Sequence, residues 1–182
     1  MGFLKSKSGA VVLAALVVVG STLLNTRVKL GAAVDEVEDL FFTDRDGEKC
    51  IYSRLEEKLS ASNGYAAVLA SYDEEAADTL YHERDSLLWA CEDDDIDYMA
   101  WCNAELDKAF GDAERALAAC ELSESDREDA EYYAEIYNGA QKMIAENSYN
   151  SSVTSFNRSV YDTFPTEILA AFAGVNAPER FS

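Results

Sequence analysis

DYMAWCNAELDKAFGDAERALAAC, residues 97–120, decides the fold class. Met99, Cys102, Leu106, Phe110, Ala113, Leu117 and Cys120 recur at steps of 3, 4, 4, 3, 4 and 3, the heptad-like seam of a helix that needs cover. No proline interrupts it, and Ala, Glu and Leu favour helix over strand. The acidic run Glu92-Asp93-Asp94-Asp95-Ile96-Asp97 precedes it and closes a second helix over about 49–91. That helix is marked by Leu55, Leu59, Ala66, Leu69, Ala76, Leu80 and Leu87, and Asn63-Gly64 is where it would break or kink. Upstream, Leu30, Ala33 or Val34, Val37 and Leu40 or Phe41 form the stripe of a first helix, which ends at the turn signal Asp44-Arg45-Asp46-Gly47. Downstream, Ser125 and Glu128 make a capping box for a fourth helix running to about 163, where Pro165 stops it. None of these helices is stable alone, and short polar connections imply antiparallel neighbours. The expectation is an all-α protein: an elongated antiparallel up-down four-helix bundle preceded by an N-terminal transmembrane segment.

That segment is GAVVLAALVVVGSTLL, residues 9–24, sixteen residues without a charge. Lys5 and Lys7 precede it, and Arg27 and Lys29 follow. At ~1.5 Å per residue it spans ~24 Å, short of the ~30 Å hydrocarbon core, and polar neighbours with snorkelling lysines close part of the gap. The domain plan is an N-terminal flank at 1–8, an anchor at 9–25, a helical bundle at 26–164 and a short helix and tail at 165–182. A cleaved signal peptide ending near Val18-Val19-Gly20 and a buried core helix are the alternatives. Flanking charges are almost balanced and slightly favour the amino terminus inside, which predicts a single-pass membrane protein with its bulk outside the cytoplasm.

The 182 residues carry a net charge of −20. Residues 1–30 hold four cations and no acid, so the remainder sets 11 cations against 35 acids. Such a surface repels phosphate backbones, which excludes nucleic acid as a partner and favours a protein partner with a basic surface. One histidine excludes a multi-His metal site, and no phosphate loop, nucleophile elbow or His-Glu-x-x-His occurs. The sequence therefore predicts no enzyme, no cofactor and no metal site.

Asp93, Asp95 and Asp97 imitate a calcium loop, but Tyr98 and Ala104 stand where an EF-hand needs Gly and Glu; helix-starting carboxylates are the plainer reading. His82 lacks an identifiable partner and reads as a surface residue. Asn147, Asn150, Thr154, Asn157 and Tyr161 form a polar stripe, either fixing register or lying at the core boundary. Of the four cysteines, Cys91 and Cys102 face each other across a short connection and could form a disulfide; free buried thiols are the alternative. Ile168, Leu169 and Phe172 are expected either to pack across the bundle base or to dip into a lipid interface.

The most specific stretch is YNSSVTSFNRSVYDTFPTEILAAFAG, residues 149–174. Tyr149-Asn150, Val153, Phe156-Asn157, Phe164-Pro165-Thr166, Ile168-Leu169 and Phe172 resemble the last long helix of the LemA family. The anchor, the stripe from Asn25 to Leu40 and the terminal aromatic Phe181 are similar to that family as well. Cys50-Ile51-Tyr52-Ser53-Arg54 departs from it, standing where those proteins usually carry Asp-Leu-Ile-Pro-Asn. The resemblance implies a membrane-anchored helical bundle of unknown biochemical activity and assigns packing positions rather than an active site. Two readings of function follow: a non-catalytic interaction or scaffold module at the cell envelope, or an extracytoplasmic ligand- or cation-sensing bundle that acts through a separate signalling partner.

Overall fold

The computed structural model describes residues 7–182. The chain is all-helical, with seven helices among the described residues: α1 (Lys7–Phe42), α2 (Ile51–Leu69), α3 (Glu74–Glu92), α4 (Ile96–Ala118), α5 (Glu124–Glu146), α6 (Tyr149–Val160) and α7 (Thr166–Ala173). Two compact units form. One joins the described residues up to Asp39 with Ser151–Pro178, and the other joins Leu40–Asn150 with Glu179–Ser182.

The second unit contains a four-helix bundle, but of different helices from those expected. The predicted helix over 49–91 is two helices, folded back at residues 70–73. The break is not at Asn63-Gly64, which lies inside a continuous α2. Asp73 causes it: its backbone is extended, and its side chain accepts from the Ala76 N–H to start α3, with Glu74 and Glu75 favouring the helix's positive end. Gly64 serves a close approach instead. A Cβ there would sit 2.3 Å from the Tyr133 ring of α5, so only glycine leaves room for that tyrosine.

α2 packs on α5 and on α3, and α3 packs on α4. The seam read in residues 97–120 is buried from Met99 to Leu117, while Cys120 lies beyond the helix end and is half-buried. Phe110 stacks flat on Tyr137, with centroids 3.7 Å apart, so large side chains span the α4–α5 side. Tyr65 closes on Phe110 from α2.

The connections follow local chemistry. Asp46 and Gly47 adopt positive φ, and Arg45 and Glu48 exchange two backbone hydrogen bonds around them, which is the turn expected there. Asp44 Oδ1 then accepts from the Cys50 N–H and the Ser53 hydroxyl, fixing the entry to α2. These bonds hold the Asp44 carboxyl below its usual range. The N-cap of α5 lies two residues before the predicted one. Ser123, not Ser125, is the N-cap, with its Oγ accepting from the Asp126 N–H. Tyr72 decides between them: it donates to Asp126 Oδ2 at 2.5 Å, and its oxygen accepts from the Ser123 N–H. The predicted fourth helix also ends early, at Glu146, because Asn147 turns extended and its Oδ1 accepts from the Tyr149 N–H to start α6.

In the other unit, Leu30 and Val34 of α1 are buried, whereas residues 14–22 are exposed throughout. Among the described residues, no helix is long and apolar enough to cross a membrane. The predicted anchor falls partly outside them: the side chains of Ala10, Val12 and Leu13 are not among those described, nor are residues 1–6 of the predicted flank.

Candidate functional site

Three groupings of side chains stand out. The first contains the residues that carried the family resemblance. Tyr149 is buried, and its hydroxyl donates to the Glu179 carbonyl at 2.7 Å. Asn150 pairs with both backbone groups of Phe181: Nδ2 donates to its carbonyl at 2.5 Å, and Oδ1 accepts its N–H at 2.9 Å. The Phe181 ring packs against Phe41 and lies 7% exposed. Phe41 in turn meets the Tyr149 ring edge-on at 5.3 Å. Tyr149 and Asn150 thus clasp the end of the chain. Further along, Tyr161 donates to the Asn176 carbonyl at 2.7 Å.

The rest of the motif disperses. Val153 is fully buried and Phe156 half-buried, and Asn157 Oδ1 is buried without a hydrogen-bond partner. Phe164 and Pro165 form the turn into α7, in which Thr166 is the first residue. Ile168 is exposed, Leu169 is half-buried, and Phe172 and Phe164 are three-quarters exposed. α7 buries Ala170 and Ala173 instead.

The second grouping was not foreseen. Lys58 of α2 is wholly inaccessible to solvent. Its ammonium donates to Asn103 Oδ1 at 2.5 Å, Asp107 Oδ1 at 2.6 Å and Gln141 Oε1 at 2.7 Å, and lies 4.7 Å from the centre of the Tyr137 ring. Tyr137 donates its hydroxyl to the same Asp107 oxygen at 2.9 Å. α2, α4 and α5 therefore meet at one charged centre whose three ammonium protons all have acceptors. Burial pushes Lys58 down to about 8, against the opposing pull of the Asp107 carboxylate. Burial also pushes the Tyr137 phenol upward, with Asp107 adding to the shift. Lys58 is inaccessible while the Asp107 side chain stays 28% exposed, so the centre ties α2 to α4 and α5 from inside the bundle and reaches solvent at Asp107. In the sequence, Lys58, Asn103 and Asp107 pass for members of polar faces; the signal is that Lys58 lies between Leu55 and Leu59 on the apolar stripe.

The third lies where α3 turns into α4. Asp95 caps α4 through the Tyr98 N–H, which is the helix-starting role expected of the acidic run, and Asp97 lies in the first turn. Trp89 and Trp101 are 59% and 56% exposed, and Tyr98 stacks on Trp101 with centroids 6.0 Å apart. Cys91 and Cys102 are buried free thiols, not joined in a disulfide. Burial first, then Glu56, Cys102 and Asp94, push the Cys91 thiol up to about 12, which removes it from nucleophilic chemistry at neutral pH. His82 is exposed on α3. Among the described residues, no group of three or more His, Cys, Asp or Glu is arranged to hold a metal ion.

A cleft of about 360 Å³ opens between the end of α4 and the start of α5, lined by Tyr65, Leu117, Leu122 and Ala130 with Glu114, Arg127 and Glu131 at polar positions. Comparison of the chain with protein-family models, curated proteins and solved structures finds no match.

Proposed function

We propose that the chain is a membrane-tethered, non-catalytic helical module that docks partner proteins at the cell envelope, as the LemA-like motif suggests. One observation carries the tether. Leu16, Val17, Val18 and Val19 occupy consecutive helical positions, and each is between 55% and 64% exposed. Four consecutive residues sweep around the helix, so among the described residues no protein face shields these four. Water is a poor solvent for such a helix and lipid a good one. In the sequence, Gly9, Ala10, Val12 and Leu13 extend the uncharged run to Gly9–Leu24. The acidic remainder of the chain favours partners with basic surfaces.

The test is retention of the full chain in membranes after alkaline extraction. The wild type is expected to stay with lipid. Val17→Asp with Val18→Asp, at roughly 3 kcal/mol per aspartate in a bilayer centre, is expected to release it. A wild-type chain that washes off would overturn the tether. Pull-down from native membranes at low and moderate salt tests docking, and recovery of no protein at either salt would overturn it.

The cleft beside Tyr65 favours the ligand-sensing reading as a second possibility, since its volume suits a small molecule. Thermal shift against cations and small metabolites separates the two. A stabilising ligand supports sensing, and none among them leaves docking.

A further inference from the structure

The turn between α3 and α4 combines exposed aromatic rings with exposed carboxylates. Trp89, Tyr98 and Trp101 present aromatic faces to solvent within the last turn of α3 and the first two turns of α4. Around them lie Glu92, Asp93, Asp94 and Asp97, all exposed, and none joins an ion pair among the described residues. No Lys or Arg occurs anywhere from residue 85 to residue 107.

The charge selects the occupant. An anionic lipid surface or a nucleic acid is repelled, and a second copy of this turn would set carboxylates against carboxylates. A cationic group is drawn in by the carboxylates and held on the negative face of the rings. A planar guanidinium suits this surface better than an ammonium, because the parallel Tyr98 and Trp101 rings offer flat faces and the carboxylates accept its paired donors.

We infer that the α3–α4 turn is the docking site for an arginine-bearing segment of a partner protein, with Trp89 and Trp101 stacking the guanidinium groups and Asp93 and Asp97 pairing with them. This rests on the interaction-module reading and gives it a place and a partner chemistry.

The probe is a fluorescein-labelled acetyl-Gly-Arg-Gly-Arg-Gly-Arg amide, titrated by anisotropy against the full chain in a neutral detergent at moderate salt. Saturable binding is expected, and the same peptide with Gln for Arg should not bind. Trp101→Leu keeps the apolar bulk and removes the indole face; it and Asp93→Asn with Asp97→Asn are each expected to weaken binding at least fivefold. Glu128→Gln with Asp129→Asn on α5 removes equal charge elsewhere and is expected to stay within twofold of the wild type. Equal losses from the two charge pairs, or an unchanged Trp101→Leu, would overturn the site, because attraction to the net charge of −20 would then explain the binding. Absence of saturable binding would overturn it too. Capture of the same membrane proteins by a Trp89→Ala, Trp101→Ala chain and by the wild type would overturn this site while leaving the interaction-module reading standing. Failure of that reading shows instead as no capture by the wild type.

Discussion

Gly64 and Lys58 are the two residues at which a local reading of the sequence misleads. A glycine within a helix costs about 1 kcal/mol against alanine, and beside asparagine it reads as a break. Its value is space for the Tyr133 ring. Gly64→Ala is therefore expected to destabilise the fold by about 1–3 kcal/mol in chemical denaturation, since the ring must move or α5 must retreat. In a Tyr133→Ala background the sign should reverse, with alanine at 64 stabilising by up to about 1 kcal/mol. Lys58 is concealed for a different reason: a charge inside a bundle is legible only when its partners on other helices are known. Asp107→Ala leaves the ammonium buried with no countercharge and is expected to cost about 3 kcal/mol. The pH dependence follows from the downward shift. Between about 8 and about 10 the unfolded chain keeps a proton on this lysine that the folded chain has released, so this group's contribution to stability rises with pH across that window. Denaturation of the wild type and of Lys58→Met at pH 8 and pH 10 should differ in pH response by about 2 kcal/mol, with the wild type gaining more. Above about 10 the buried Tyr65, pushed up to about 12, opposes the trend, because the unfolded chain loses that proton first.

Among the elements, α4 and the turn ending at Gly47 were readable because their signals are short-range: a seven-residue period and an Asp-Gly pair. The ends of α2 and α5 were not, because asparagine and aspartate break helices by side-chain capping as effectively as proline does by geometry. Asp73 and Asn147 are the two cases, and both lie in stretches free of proline and glycine. At the start of α5 two serines compete, and Tyr72 from a distant turn settles the choice. Ser123→Ala is thus expected to cost about 1 kcal/mol and Ser125→Ala close to nothing. The fold-back at Asp73 also sets cysteine chemistry. It brings Cys50 at the start of α2 and Cys91 at the end of α3 close enough to Tyr52 for both to act on its phenol. With Cys102 also buried, a maleimide reagent at neutral pH should label Cys120 quickly and the other three only on unfolding. Fast labelling of Cys91 would contradict its enclosure. Of the candidate surfaces, the acidic run was plain in the sequence, but the exposure of Trp89 and Trp101 was not, since an aromatic at helical spacing is as readily core as surface.

For the molecule as a whole, the chain leaves the bundle unit after Asn150 and rejoins it at Glu179. The two hydrogen bonds between Asn150 and Phe181, together with the Tyr149–Glu179 bond, fasten the two ends of that excursion. Closing a flexible segment of this length carries an entropic cost of about 3 kcal/mol, borne once when the fastening forms. Residues 151–178 belong to the other unit, so they are expected to exchange with that unit rather than with Phe181, which the fastening holds. Deuterium uptake should reveal it: amides of α7 exchanging early and the Phe181 amide late, with Asn150→Ala collapsing the difference. The excursion is like a drawstring bag, whose neck is held by a cord of three hydrogen bonds.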